Sequence, residues 1–308
     1  MFEGSEKKIE VIFSSNSPSL FQQTDKFWRK IVQTCKADII SCSKFPKAHS
    51  YLLSESSLFV WPHRLVFITC GKTVLSKSFI KILKSFPTEM IALCFFQRKN
   101  EFFPQIQKSC FYTDLKEIQK KIKGSSYRFG ALHDHHFFLF HNETDFMPDK
   151  EDQTLEILIY DSQNLKDTST DTISDLKKSL NKIFHGFEIQ DHFFNPSGYS
   201  LNAVRDESYY TIHITPEKPF FYISFETNIK EKSAQALTDE ILTIFKPLKF
   251  DFILFESQNK METQLTLTDY FSSSSFYKAL NCGYRVHYKT FHKLNTPAQE
   301  PISIKQTL

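Results

Sequence analysis

Leu53-Ser54-Glu55-Ser56-Ser57 sets three hydroxyls around one carboxylate, between two apolar runs. The plain reading is a polar turn. The chemical reading is a serine that processes its own chain. A Ser Oγ can attack the carbonyl just before it, exchanging an amide for an ester. That step needs a strained, firmly held backbone and donors aimed at the oxyanion. Elimination from the ester leaves dehydroalanine, which hydrolyses to a pyruvoyl group. Further along stands Cys70, followed by Gly71. A lone Cys is usually a small buried hydrophobe, and reactivity needs a tuned environment. Phe194-Asn195-Pro196-Ser197-Gly198-Tyr199-Ser200 reads as a turn entering a strand. In the next stretch, Thr211, His213 and Thr215 alternate with Ile212 and Ile214, so the polar three share one face of a strand. His213 there is either a satisfied core histidine or a base with a pKa near neutrality.

The elements that must position these groups are mostly strands. Ile9–Phe13, Ser50–Val60, Arg64–Thr69, Ile91–Phe96, His136–His141, Thr154–Tyr160, Tyr209–Thr215, Phe220–Glu226, Phe250–Phe255 and Tyr284–Phe291 are rich in β-branched and aromatic residues. Helical spacing of apolar positions marks Asp25–Cys35, Leu75–Phe86, Ile173–Ile183 and Ala234–Phe245, with Thr170, Asp171 and Thr172 as capping candidates for the third. Two antiparallel sheets with helices outside them form the natural layering, an α+β fold. Tyr51–Gly71 and Tyr199–Glu217 both read as strand, turn and strand, a weak internal echo. Asp145–Gln153, acidic and with Pro148, is the best linker candidate.

Composition removes other classes. The formal charge is 38 − 35 = +3, which gives no basic stripe for nucleic acid and no polybasic membrane anchor. No apolar run approaches the ~18 residues of a membrane span. Glu3, Glu6, Lys7 and Lys8 at the start do not suit a secretory signal, and the six cysteines form no C-x-x-C pair. Reduced thiols in a cytoplasmic protein are the expectation. Phosphate-cradling glycine loops and a G-x-S-x-G elbow are absent. His133-Asp134-His135-His136 is a dense local run rather than ligands spread over two elements, so no metal site is expected.

Taken in order, these pieces resemble the eukaryotic-type S-adenosylmethionine decarboxylases. The likeness begins at Phe2-Glu3-Gly4-Ser5-Glu6-Lys7. It continues through Leu53–Ser57, Thr69-Cys70-Gly71, Arg98-Lys99-Asn100, Asp152–Leu158, Phe194–Ser200, Thr211–Glu217 and Ser224–Asn228. Residues 100–150 and the C-terminal tail match poorly. The resemblance implies a four-layer αββα sandwich of two antiparallel sheets with an internal duplication, spanning 1–308 as one domain. It implies cleavage between Glu55 and Ser56 into residues 1–55 (β chain) and 56–308 (α chain), with a covalent pyruvoyl cofactor derived from Ser56. S-adenosylmethionine is the implied substrate, in spermidine and spermine synthesis, and a homodimer of αβ units the implied assembly.

Role by role, the resemblance assigns Ser200 to holding the cyclic intermediate of cleavage and His213 to taking the proton during elimination. It makes Cys70 the proton donor in turnover and puts Glu3 and Glu6 near the reacting group. Phe2 and Phe194 would sandwich adenine, Glu217 would grip the ribose, and Leu53 and Glu55 would present backbone groups to the adenine edge. Glu10, Asp152, Thr154, Glu156 and Glu226, walled by Phe95, Phe255 and Tyr284, match a buried acidic site for putrescine as activator. Two departures bear on it. Lys8 stands where animal enzymes carry an apolar residue and plant enzymes a basic one, and Ile68 where animal enzymes carry Lys. Lys8 and Glu10 share a strand face, so Lys8 is expected to neutralise part of the cluster. The alternative from another class is an uncleaved, non-catalytic homologue that activates a partner decarboxylase. Such a regulator would be expected to lose Ser56, Cys70, Ser200 or His213, and all four are present.

Overall fold

A computed structural model describes Gly4 and residues 6–165, 167–195, 198–217 and 220–296, with Glu217 and Phe220 described through their backbone only. The first half of the chain runs β1 (Lys7–Phe13), α1 (Asp25–Thr34), β2 (Ile39–Lys44), β3 (His49–Leu53), β4 (Ser56–Trp61), β5 (Arg64–Thr69), α2 (Leu75–Ser85), β6 (Ile91–Lys99), α3 (Phe111–Gln119), β7 (Gly124–Gly130) and β8 (His136–Asn142). The second half runs β9 (Gln153–Ser162), α4 (Thr170–Ile183), β10 (Glu188–Phe193), β11 (Tyr199–Arg205), β12 (Ser208–Glu217), β13 (Phe220–Thr227), α5 (Ala234–Phe245), β14 (Pro247–Ser257), β15 (Tyr270–Ala279) and β16 (Tyr284–Lys293).

These strands make two eight-stranded antiparallel sheets. The first has the order β2-β3-β4-β5-β1-β6-β8-β7 and the second β10-β11-β12-β13-β9-β14-β16-β15. Adding eight to each strand number of the first sheet reproduces the second, so the duplication is carried by topology. Residues 143–152 join the halves, where a linker was expected, but Asp152 is buried in that loop and is not part of a free tether.

Each helix layer covers the outer face of its own sheet. Trp28, Ile31, Phe79, Ile82 and Ile118 pack with Ile9, Val11, Leu58 and Phe67 on one side of the molecule. Leu176, Leu180, Leu237 and Ile241 pack with Leu155, Ile157, Ile212 and Phe225 on the other. Among the described residues, polar caps start three of the five α-helices: the side chains of Thr24, Ser169 and Ser233 accept from the backbone N–H groups of Phe27, Thr172 and Ala236. The α4 cap is thus Ser169, one residue before the expected Thr170.

The space between the sheets is not uniformly apolar. One inner cluster holds Phe95, Phe137, Ile253, Phe255, Tyr284 and Tyr288, and a second, smaller one holds Phe59, Val66, Ile68 and Tyr209. Between them lie Lys8, Glu10, Gln97, Glu156 and Glu226, all buried. Buried charge of this kind persists only where it is paired. The stretch expected as one strand, Ser50–Val60, is a hairpin that breaks at Ser54–Glu55. Leu53 pairs with Ser56 across the turn.

Candidate active site

Ser56 is the first residue of β4 and has φ of 132°. That region is costly for a residue with a Cβ, by roughly 1–3 kcal/mol, and persists only when neighbours hold it. The holders are visible. Ser56 is paired with Leu53 on one side and Thr69 on the other. The turn before it is pinned by Ser54 N donating to Asp38 O (2.8 Å) and Asp38 N donating to Ser54 Oγ (3.0 Å). The Glu55 carbonyl accepts from the backbone N–H of Cys70 at 3.0 Å, and the Cys70 thiol lies 3.4 Å from the same oxygen. Cys70 itself follows the end of β5. Thr73 Oγ1 donates to Cys70 O (2.9 Å) and Lys7 Nζ to Gly71 O (2.9 Å).

Across the inter-sheet space, β11 and β12 supply the partners. Ser200 and His213 face each other in register on these strands. Ser200 Oγ is 2.8 Å from His213 Nδ1, and Ser56 Oγ is 3.0 Å from His213 Nε2. Thr211 Oγ1 and Ser57 Oγ also approach Nε2, at 2.9 and 3.2 Å. Burial pulls the His213 pKa down to about 3, so the ring is neutral at physiological pH. A neutral imidazole with one nitrogen on Ser200 and the other at Ser56 is arranged to take a proton from that residue. The Cys70 thiol is pushed well above its ordinary value by burial, with Glu55 and Glu6 adding to the effect, so it stays protonated and can donate.

The other sequence-expected residues distribute as follows. Glu6 bonds Ser224, the β13 neighbour of His213. Its carboxyl is pushed up to about 8 by burial, with Glu226 and Glu156 adding and Ser224 and Lys8 opposing. Glu55 rises to about 7, again by burial, against the pull of Lys7. Leu53 is fully buried in the hairpin. Phe194 sits beside the ring of His192 with centroids 4.9 Å apart, and its N–H donates to Gly198 O at 3.0 Å. Gly198 has φ of 127°, a conformation that glycine alone adopts cheaply. Phe2 and Glu3 lie outside the described residues, as does the side chain of Glu217.

The acidic cluster assembles between the sheets, and Lys8 is inside it. Lys8 Nζ lies 2.9 Å from Glu156 and 2.9 Å from Glu226. Burial opposes its charge, but the surrounding carboxylates win and hold it protonated. Glu156 also accepts from Gln97 Nε2 (2.7 Å), and Tyr209 OH donates to Glu226. A second cation, Arg64, reaches Glu10 (2.5 Å) and Asp152 (3.2 Å), and Tyr284 OH donates to Asp152 at 2.7 Å. Burial would raise the Asp152 pKa, but Arg64 and Tyr284 outweigh it and the carboxyl is lowered. Phe95 packs on Phe255 and Tyr284 at centroid distances of 5.4 and 5.6 Å, and Thr154 is buried opposite Phe255. Arg64, Gln97 and Asn202 were not singled out from the sequence, and Ser57 only as one hydroxyl of the Leu53–Ser57 segment, without a role. Alternation could have found Arg64, which shares the inward face of β5 with Val66 and Ile68.

His135, from the histidine run, pairs with buried Asp251 at 3.2 Å, next to Lys99 on the same carboxylate at 2.9 Å. It lines a cavity of about 700 Å³ with Phe102, Tyr160, Tyr222, Lys249 and His292. Ser56, Cys70, Ser200 and His213 are not among that cavity's lining residues.

The chain is thus a duplicated αββα sandwich in which a strained serine, a facing histidine and donors on the preceding carbonyl meet between the sheets. Residues 1–299 match the family model for adenosylmethionine decarboxylase, and the chain belongs to that family. It is 33% identical over 279 residues to the S-adenosylmethionine decarboxylase proenzyme of Leishmania donovani, covering 82% of this chain and 73% of that one. It is 31% identical over 281 residues to the proenzyme of Xenopus laevis, with 84% of each covered. The crystal structure of the Trypanosoma brucei AdoMetDC-delta26 monomer superposes with a TM-score of 0.58 at 22% identity, over 77% of this chain and 98% of that chain, and so shares the fold.

Proposed function

We propose that the chain is a proenzyme that cuts itself between Glu55 and Ser56 into residues 1–55 and 56–308. The α chain then decarboxylates S-adenosylmethionine to supply the aminopropyl donor for spermidine and spermine synthesis. One observation carries the reading: Ser56 stands on a φ of 132° with its Oγ 3.0 Å from a neutral His213, while Cys70 holds the preceding carbonyl. In the first step, Ser56 Oγ attacks the Glu55 carbonyl carbon. The negative charge that grows on the carbonyl oxygen falls beside the Cys70 N–H and S–H. Breaking the C–N bond, with the Oγ proton passing to the departing nitrogen, leaves an ester and a free amine on Ser56. His213 then takes the Ser56 Cα proton, the Cβ–Oγ bond breaks, and Glu55 departs as a carboxylate. Relief of the strained φ offsets the loss of amide resonance, and the elimination that follows draws the reaction forward. Ser200, on the far nitrogen, keeps the ring aimed.

The residues present fit a pyruvoyl group, because the serine it would be made from is held beside a proton acceptor and a protonated thiol. When formed, the group supplies an electron sink for loss of carbon dioxide. Around it, Cys70 offers a proton to the decarboxylated carbon, and Glu6, protonated at neutral pH, adds no negative charge near the substrate's leaving carboxylate. Phe194, with Phe2, would flank adenine, and Glu217 would bind the ribose. The six free cysteines suit a cytoplasmic setting. β15, an edge strand with Phe271, Phe276 and Tyr277 exposed, is a face that a second αβ unit could cover. The uncleaved-regulator reading is not favoured, since Ser56, Cys70, Ser200 and His213 are all in place.

For regulation, Lys8 does part of the work that a bound diamine would do. Its ion pairs to Glu156 and Glu226 support weak or absent stimulation by putrescine. Intact mass of the purified protein tests the central reading. Two chains, the larger with a blocked pyruvoyl terminus, are expected. A single full-length chain that still decarboxylates S-adenosylmethionine would overturn it.

A further inference from the structure

Three hydroxyls surround His213 Nε2, those of Thr211, Ser56 and Ser57 at 2.9, 3.0 and 3.2 Å. A neutral ring nitrogen either donates or accepts, and a base must keep its lone pair for the proton it will take. The direction of the other two hydroxyl protons therefore matters. Thr211 Oγ1 has Leu201 O at 2.9 Å and Asn202 Oδ1 at 3.0 Å as acceptors. Ser57, fully buried, has Asn202 Oδ1 at 2.5 Å. Its remaining neighbours are His213 Nε2 and, at 3.4 Å, Thr211 Oγ1. The amide of Asn202 cannot be turned round. Its nitrogen donates to Tyr51 O at 3.2 Å and to Ser50 Oγ at 3.1 Å, and a backbone carbonyl only accepts. The oxygen is thus the end that faces Ser57 and Thr211.

We propose that Asn202 is a positioning residue for self-processing: by accepting the Ser57 hydroxyl proton it keeps the His213 Nε2 lone pair free for the proton leaving Ser56 Cα. The inference rests on the processing reaction proposed above. Once Nε2 carries that proton, the Ser57 and Thr211 oxygens, their own protons committed elsewhere, are ready acceptors for the new N–H. Without Asn202 Oδ1, the Ser57 hydroxyl has His213 as its nearest acceptor. A buried hydroxyl does not stay unpaired, so it turns onto the lone pair and blocks the base.

Asn202→Leu should slow elimination by about tenfold, equivalent to ~1.4 kcal/mol and of the size of one buried hydrogen bond. Uncleaved ester should accumulate and be cut by hydroxylamine. The decisive arm is the double variant Asn202→Leu/Ser57→Ala. Removing the competing hydroxyl should return processing toward the rate of Ser57→Ala alone, a rescue that packing damage at Asn202 does not give. Asn202→Asp keeps an acceptor for Ser57 but loses the donation to Tyr51 O, so it should process faster than Asn202→Leu and more slowly than the unsubstituted chain. Failure of Ser57→Ala to relieve Asn202→Leu overturns the proposal. If Asn202→Leu does not fold, arrest of a folded Asn202→Asp at the ester that Ser57→Ala does not relieve overturns it equally. His213→Ala separates the two levels. Normal pyruvoyl formation in that variant sinks the processing reaction itself, whereas arrest there with no rescue at Ser57 removes Asn202 only.

Discussion

Lys8→Leu removes the ammonium that bridges Glu156 and Glu226, and the consequences can be sized. Both ion pairs are at 2.9 Å and all three side chains are buried. Removing one partner of such a pair costs about 3–5 kcal/mol, because the other charge is left desolvated. At about 2 °C per kcal/mol, the low end suited to a larger domain, the melting temperature should fall by ~6–10 °C at pH 8. The pH dependence has a definite sign. Without Lys8, the Glu226 carboxyl loses a counter-charge that lowers its pKa and rises further above the unfolded value of about 4.3. Its protonated form is tolerated at low pH, and stability is lost as pH rises through the raised value. The Glu226 carboxyl is already raised by burial even with Lys8 beside it. The deficit relative to the unsubstituted chain should therefore be small at pH 5.5 and largest at pH 8. Putrescine, with two ammonium groups, should restore both melting temperature and decarboxylase activity in Lys8→Leu while doing little to the unsubstituted protein. Thermal melts at the two pH values, with and without putrescine, decide it. A variant that melts within about 2 °C of the parent at pH 8, against the expected penalty, would refute the electrostatic argument. Strong putrescine stimulation of the parent would refute the regulatory one.

Ser56→Ala should stay a single chain without activity, since alanine has no Oγ for the acyl shift; two fragments on a denaturing gel would move the cleavage site elsewhere. His213→Ala should fold and stall at the ester, releasing two fragments with hydroxylamine but no pyruvoyl, and rapid normal cleavage would make His213 a core residue only. Cys70→Ala should lose turnover far more than substrate binding and let the cofactor be converted to alanine during turnover, which mass spectrometry of the α-chain terminus reads. It should also slow cleavage modestly through the lost thiol contact to Glu55 O, while the backbone N–H contact persists. Unchanged rates with an intact pyruvoyl would remove Cys70 from the mechanism.

The interior strands were legible because most of their residues are β-branched, aromatic or otherwise apolar, with only isolated polar positions between them. Ile9–Phe13, Arg64–Thr69, Phe220–Glu226 and Phe250–Phe255 fall within β1, β5, β13 and β14. The strands not foreseen are β2, β7, β10 and β15, which are the four sheet edges. Their sequences, such as Ile39-Ile40-Ser41-Cys42-Ser43-Lys44 and Tyr270–Ala279, leave many positions half-buried or exposed. An edge strand gets half its hydrogen bonds from one neighbour and packs little, so nothing forces apolar side chains onto it. The helix α3, Phe111–Gln119, was missed for a related reason: only Phe111, Asp114 and Ile118 are buried, and Asp114 is there to bind Arg98 and Ser76.

The site was legible in its parts and not in its assembly, and the duplication explains the difference. Ser56 and Ser57 begin β4, His213 lies on β12, and these are equivalent strands of the two sheets. Hairpin β3–β4 and hairpin β11–β12 descend from one pattern and meet across the interior, where Ser57 and Asn202 join them. One copy carries the strained serine and the other the histidine with the hydroxyls around it. Sequence alternation could place Thr211 and His213 on one face, but nothing local in either hairpin says that the two faces meet. The same holds for the charge cluster, in which Lys8 on β1 finds its carboxylates on β9 and β13. Those strands are central in the second sheet, as β1 is in the first. Apolar clusters flank this stripe on both sides, so each charge must find its partner across the gap rather than in solvent. Chemistry at the seam of a duplicated fold is therefore specified by pairs of residues, one from each half, and a change on one side is expected to be relieved only by a matched change on the other.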